Sequence, residues 1–338
     1  MFCTQIGTGM ARAAACLLIA VTVAGAAPEK KVVYYGWRSR DTAFVRLHWR
    51  LMERLPFDGI GITVAIDPAK PTTGDGATEN LLGWHTFGPT AFDHQDFQSA
   101  IADLQTPAWT KFTDNFLPAI VATADQDHGL TWFDDARWSI IENNWRVLLK
   151  IARDGRCRGI LLDPEHYDYA CELFSHANHR AQRVDKSFDE YTAKARRRGA
   201  QLGAAVRELF PGITIAMLYG YNLADAEPSR YSLLPAFLDG LREAASGASF
   251  VDLYEFGHHF TTRRQFLDGY AAIKKVPGMQ AGFSLSLDRF SPASFRPALQ
   301  AAREVSERYV WIYSEKTPAF YPPFRLSESY LKAFAPPP

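Results

Sequence analysis

Apolar positions along the chain recur with two alternating periods. Near-continuous apolar runs mark strands buried on both faces, and apolar residues three and four apart mark helices packed on one side. The first strand is read over residues 31–37, followed by a helix over 41–54 with Asp41 as N-cap and Phe44, Leu47, Leu51 and Trp49 inward. Strands follow over 59–64, 117–122 and 159–162, separated by helices over 97–104 and 132–152. Ser187 and Glu190 have the spacing of a capping box and open a helix running to Phe210. Strands over 213–219, 250–255, 280–287 and 309–314 then alternate with helices over 234–245, 264–274, 294–308 and 327–334.

Strand and helix alternate throughout, with no linker composition and no short sequence repeat. About eight β/α units in ~250–300 residues predict a (β/α)8 TIM barrel in a single domain. An open doubly wound sheet would carry a Gly-rich G-x-G-x-x-G turn after its first strand, and Tyr35-Gly36-Trp37-Arg38 is not one. Two long connections, 67–92 with Trp84 and His85 and 167–186, exceed what a compact domain needs for turning alone.

The N-terminal stretch follows different rules. A weakly basic leader to Arg12, an apolar run over 13–24 and Ala24-Gly25-Ala26 have the order of a secretory signal peptide. That run is well short of the ~20 residues that span a bilayer. The expected division is therefore a leader over 1–26 and a catalytic barrel over 27–338, exported to the periplasm or exterior, with no membrane anchor after cleavage. The chain carries 37 basic and 37 acidic residues, and loss of Arg12 with the leader leaves 36 and 37. That balance gives no electrostatic reason to expect nucleic acid as partner. Beyond the leader the cysteines are Cys157 and Cys171, on opposite sides of the fourth strand, and two free or buried thiols are expected.

In such a barrel chemistry collects at the C-terminal ends of the strands. There the sequence places Trp37 and Arg38, Asp67, Thr123 and Asp125, then Asp163, Glu165, His166 and Tyr167. Tyr219, Tyr221 and Asn222 follow, then Tyr254, Glu255, His258 and His259, then Ser286, Asp288 and Arg289, and finally Tyr313, Glu315 and Lys316. Carboxyl groups ringed by aromatic rings suit cleavage of a glycosidic bond. A protonated acid assists the leaving oxygen, a second carboxylate acts as base or nucleophile, and ring faces take the C–H side of a sugar. Asp163 and Glu165, at i and i+2 after an apolar run, project together from their strand. Glu255 and Glu315 are the further candidates. Strand phase leaves one choice open: either Glu255 faces the axis with Val251 and Leu253, or Asp252 does, unless a bulge re-aims one of them.

Over residues 31–334 the chain resembles TIM-barrel glycoside hydrolases as a superfamily. The resemblance rests on Leu161-Leu162-Asp163-Pro164-Glu165, Asp252-Leu253-Tyr254-Glu255 and Ile312-Tyr313-Ser314-Glu315. It implies a carbohydrate substrate in one of two patterns. In α-galactosidase-like groups a strand-four Asp is nucleophile and a strand-six acid donates the proton, making Asp163 and Glu255 the pair. In hexosaminidase- and chitinase-like groups a strand-four Asp and Glu act together, making Asp163 the orienting residue and Glu165 the acid. The chitinase D-x-x-D-x-D-x-E run is absent, since Ile160 and Leu161 stand where it has acids.

Glu165 is thus expected as general acid and Asp163 or Glu255 as its partner. Trp37, Arg38, His166, Tyr167, Tyr219, Tyr221, Asn222, Tyr254, His258 and Tyr313 are expected to bind substrate. No cofactor is implied, and the oligomeric state is left open. Two other classes stay in view: a metal-dependent hydrolase on the same barrel, and a carbohydrate-binding barrel without turnover. His176, His179 and the His258-His259 pair form no H-E-x-x-H, and neither a G-x-S-x-G elbow nor a Walker loop is present.

Overall fold

The computed structural model describes Met1 and residues 29–36, 39–73, 77–121, 130–167, 172–181, 186–315, 319–320 and 326–335. The leader after Met1, Trp37, Arg38, Thr123, Asp125, Cys171 and Lys316 lie outside the described residues.

Among the described residues eight parallel strands, counting two interrupted ones once each, follow one another around a (β/α)8 barrel, and a further two-residue strand, Arg40–Asp41, pairs with Ile62–Thr63. They are β1 (Lys31–Tyr34), β2 (59–63, interrupted at Gly61), β3 (Phe116–Ile120) and β4 (Gly159–Asp163). Then come β5 (Thr214–Met217), β6 (Ser249–Asp252), β7 (280–286, interrupted at Gly282) and β8 (Tyr309–Tyr313). β1 pairs with β8 at Val33↔Trp311 and with β2 at Val33↔Gly59. The ladder thins to the bridge Gly61↔Phe116 before β3, then runs unbroken through β4, β5 and β6. β7 joins the two halves, pairing with β6 at Asp252↔Ala281 and with β8 at Ser286↔Tyr313.

One principal helix follows each strand: α1 (Thr42–Met52), α2 (Gln98–Gln105), α3 (Asp135–Asp154) and α4 (Phe188–Leu209). The remainder are α5 (Leu234–Ala244), α6 (Arg263–Ile273), α7 (Pro292–Val305) and α8 (Glu328–Phe334). Their starts are set by side chains that accept orphan N–H groups. Asp41 caps α1, and reciprocal capping boxes open α4 (Ser187 with Glu190) and α6 (Thr262 with Gln265). No helix among the described residues is long and apolar enough to cross a membrane.

Strand alternation divides the core into two layers. Ile160 and Leu162 point outward into the large cluster between barrel and helices. Leu161 points inward, where it meets Val33, Ala216, Val251, Leu253 and Trp311 in the barrel interior. This phase fixes what each strand presents at its mouth.

Several strands stop sooner than their apolar runs, β1 at Tyr34 and β6 at Asp252. Trp132 precedes α3 rather than starting it, and its ring N–H donates to Leu173 O at 2.7 Å. In α1 the buried stripe is Thr42, Val45 and Met52, while Leu47 stays 64% exposed. The 67–92 connection is not featureless: it holds a 3-10 turn (Ala77–Asn80) and a short helix (Leu82–His85). Asn80 ties the connection together by donating to Asp67 O at 3.0 Å and accepting Asp67 N–H at 2.8 Å. Cys157 is a buried free thiol, pushed up to about 12 by burial.

The α4–α5 contact depends on bare backbone. A Cβ on Gly240 would stand 1.9 Å from Arg196 O, and one on Gly199 would stand 2.0 Å from Phe237 O. Gly240→Ala should force these helices apart and cost about 1–3 kcal/mol, typical of overpacking. A urea midpoint unchanged by the substitution would contradict the packing.

Candidate active site

The inward phase of β4 carries from Leu161 to Asp163, and the chain then turns through Pro164. Asp163 is 2% exposed. Its Oδ1 accepts the Glu165 N–H at 3.0 Å, and its Oδ2 accepts the Tyr167 hydroxyl. Tyr167 takes a left-handed conformation, φ 45°, and its ring meets Trp84 of the 67–92 connection at 5.1 Å.

β6 resolves the phase question by using both acids. Glu255 continues the inward phase of Val251 and Leu253. Asp252 keeps the opposite phase and acts as an anchor, accepting Tyr254 N–H at 2.8 Å and the Asn222 amide at 3.2 Å. Tyr254, at φ 47°, makes the turn between them, and the Glu255 N–H donates to Leu218 O at 3.0 Å. No bulge in β6 is required. His258 sits one turn beyond, its Nδ1 3.7 Å from Glu255 Oε1 and its ring stacked on Tyr313 at 4.8 Å. Glu255 Oε2 has no hydrogen-bond partner among the described residues.

β1 contributes Tyr35, two residues beyond Val33 and in the same phase. Its carbonyl accepts the Trp311 ring N–H at 2.8 Å, and its ring occupies the space that a side chain at Gly61 would fill.

Asp163, Glu165 and Glu255 open into one cavity of about 550 Å³. Tyr35, Leu218 and Trp311 form its inner end, where the barrel interior closes beneath it. Trp84, Tyr167 and Tyr313 supply further ring surface, and Thr72, Thr73 and Thr78 line it from the 67–92 connection, the Thr72 hydroxyl donating to Asp41.

Other candidates stand elsewhere. Glu315 is exposed beside the mouth, accepting from the Tyr313 hydroxyl while its N–H donates to Asp288 at 2.6 Å. His166 is buried behind the β4 turn, stacked on Tyr231 at 4.4 Å and accepting Phe174 N–H at 3.1 Å. Tyr221 turns to α5, donating to Asp239 at 2.8 Å and accepting from Arg242 at 2.9 Å. Tyr254 packs among Phe256, Phe260 and Phe283. Tyr219 meets Phe256 edge-on outside the cavity lining, yet it lies within electrostatic reach of Glu255, Glu165 and Asp163. Tyr35, Trp311 and the three threonines were not among the sequence candidates. The Val33–Tyr35 alternation was the signal for Tyr35, and nothing in a Thr-rich loop marks which residues line a cavity.

Burial dominates the electrostatics. It pushes Asp163 up to about 6, held there against further rise by the bonds from Tyr167 and the Glu165 N–H. Burial first and the Asp163 charge second push Glu165 up to about 8. Glu255 is held well above the ordinary carboxylate range by burial, then by Glu165 and Asp163. Burial also raises Asp252 to about 7 and pushes His258 down to about 3. Near neutrality Asp163 is therefore the first acid to ionise while its neighbours keep protons. Among the described residues no three His, Cys, Asp or Glu side chains converge on a point that would hold a metal.

No protein-family model and no curated protein matches the sequence. Solved structures similar to it include a GH113 beta-1,4-mannanase, 12% identical, with 85% of this chain and 88% of that one covered and a TM-score of 0.45. Oxaloacetate acetylhydrolase in complex with the inhibitor 3,3-difluorooxalacetate is 15% identical, with 84% and 75% covered and a TM-score of 0.39. Aspergillus clavatus Sph3 in complex with GalNAc is 10% identical, with 91% and 98% covered and a TM-score of 0.36. Likenesses this remote carry no chemistry over to this chain.

Raised carboxyl pKa values fix the sign of a stability effect. The folded site holds protons that the unfolded chain releases above its ordinary value of 4.5 for Glu165, so this contribution is lost as pH rises from there towards about 8. His258, depressed by burial, acts in the opposite sense below its ordinary 6.5. Comparing variants isolates the acid. Glu165→Gln should gain on the wild type between about pH 5 and pH 8, by more than about 1 kcal/mol. Parallel melting curves across that range would show that Glu165 titrates normally.

Proposed function

We propose that the protein is a glycoside hydrolase acting on a carbohydrate at the mouth of the barrel. One observation carries the reading: three carboxyl groups from β4 and β6 share one aromatic-walled cavity while their protons are held unequally. Hydrolysis of a glycosidic bond needs this division between a protonated and an ionised carboxyl.

β4 and β6 flank β5, so at ~4.8 Å per strand their ends stand roughly 10 Å apart. Their inward-pointing side chains share one cavity, and glycosidase pairs use separations of ~5–9.5 Å. In the proposed mechanism Glu165 protonates the leaving oxygen. Glu255, which must first release its proton to solvent, supplies the second carboxylate from the opposite side, and ionised Asp163 stabilises the positive charge that develops on the sugar. Tyr167 orients Asp163 through its hydroxyl. Tyr35, Trp84 and Tyr313 take the sugar ring faces. The leader-like segment over residues 1–26 supports an exported enzyme.

Glu165→Gln and Glu255→Gln should each lower turnover of a cleaved glycoside by about 10²–10⁴ while leaving the fold intact. The kcat/KM profile of the wild type should be bell-shaped, with limbs near about 6 and about 8. Retained glycan affinity without turnover in the wild type would instead establish a binding barrel. Loss of activity with EDTA would establish the metal-dependent class.

A further inference from the structure

Glu255 reaches the cavity from a turn that is tied to its neighbours on both sides. Its own N–H donates to Leu218 O at 3.0 Å, so the first residue past β5 holds the backbone of the acid. A stronger tie lies on the far face of β6. Asp252, 2% exposed and pointing away from the cavity, accepts the Tyr254 N–H on Oδ1 at 2.8 Å. Its Oδ2 accepts the Asn222 amide at 3.2 Å, and the Gly220 N–H also donates to this carboxylate. A Cβ on Gly220 would stand 2.2 Å from Oδ2, so the β5 loop comes this close only because residue 220 lacks a side chain. The Asp252 carbonyl accepts the Gly282 N–H at 2.7 Å, which locks the same residue to β7. His258 Nδ1 stands 3.7 Å from Glu255 Oε1, too far for a hydrogen bond, so His258 does not clamp the acid. The position of the Glu255 carboxyl follows the turn that carries it.

We propose that Asp252 is a positioning residue: its carboxylate clamps the β5 loop to the β6 turn and thereby fixes Glu255 in the cavity shared with Asp163 and Glu165. The two oxygens have separate tasks, Oδ1 gripping the turn and Oδ2 gripping the loop. All three donors point at Asp252, which suits a carboxylate, an acceptor at every position. Asparagine at 252 keeps a carbonyl for the Tyr254 N–H but turns an NH2 group towards the donors of Gly220 and Asn222. Exchanging the pair, Asn222→Asp with Asp252→Asn, rebuilds the tie with donor and acceptor reversed and the same net charge. The inference rests on the hydrolase reading for its effect on turnover, whereas its titration arm stands without that reading.

The experiment follows the Glu255 carboxyl by carbon-13 NMR in the full chain labelled at glutamate, with its resonance assigned by loss in Glu255→Gln. Burial and the neighbouring acids raise the Glu255 midpoint, so a carboxyl that slips from its place titrates lower. Asp252→Asn should lower that midpoint by at least ~1 pH unit, and the exchanged pair should return it to within ~0.3 of the wild type. Asn222→Ala, a milder cut at the same bond, should move it in the same direction and serves if Asp252→Asn does not fold. Urea midpoints are recorded beside the titrations. Lost stability with Glu255 titrating as in the wild type would reduce Asp252 to a structural role and overturn the inference. So would a lowered midpoint that the exchanged pair fails to restore. Turnover is scored on a panel of nitrophenyl hexosides. On any that the wild type cleaves, Asp252→Asn should lower kcat about 10–100-fold with KM within about threefold, and the exchanged pair should recover kcat. Unchanged kcat there also overturns the inference. Failure of the wild type to cleave any of the panel counts against the hydrolase reading alone, because the titration decides this one.

Discussion

Taking carboxyl groups out of water is the constraint on which the site depends. A bare buried carboxylate is costly enough that the group keeps its proton instead. At the ends of β4 and β6 four acids are nearly cut off from solvent, and their environments divide them. Asp163 receives two hydrogen bonds and ionises first, whereas Glu165 and Glu255 receive fewer and hold on to protons. Asp252 faces away from the cavity and acts as a tie between the β5 loop and the β6 turn. Unequal solvation makes four chemically similar side chains into distinct parts.

The barrel beneath makes that division reproducible. Leu161, Val251 and Leu253 fill its interior and set the phase in which Asp163 and Glu255 emerge. Behind the β4 turn, His166 packs against both Tyr231 and Phe174, so the polypeptide carrying Glu165 is packed from behind as well as hydrogen-bonded in front. The 67–92 connection, knotted by Asn80, brings Trp84 against Tyr167 and closes one side of the cavity. Its length is explained by the wall it builds.

Much of this was legible in the chain. Period and capping residues marked the β/α units, and the Asp41 and Ser187 caps are where their spacing placed them. The acids after Leu162 were legible because an apolar run cannot absorb them. Asp252 against Glu255 was not, since alternation alone allows either to point inward. Val251 and Leu253 filling the interior decide it, leaving Asp252 outward and Glu255 inward. Glu315 shares the inward phase of Trp311 and Tyr313, yet the bond from its N–H to Asp288 holds it at the rim. Tyr35 was hidden by an overlong reading of β1, which moved attention to Trp37 and Arg38. Tyr221 was misplaced because strand-end position says nothing about a ring that turns back to Asp239.

One local device recurs on both acid-bearing strands. β4 closes with Asp163 accepting the N–H two residues on, and β6 closes with Asp252 doing the same. In each case a left-handed tyrosine follows, Tyr167 four residues beyond Asp163 and Tyr254 two beyond Asp252. Side-chain oxygens that hold their own backbone in this way are both hinge pin and charge. The shape of each strand end and its ionic state are therefore a single variable. Truncating either aspartate to alanine erases the turn along with the acid and reports on both at once. Asparagine keeps the carbonyl that grips the backbone, and so separates architecture from chemistry at these two positions.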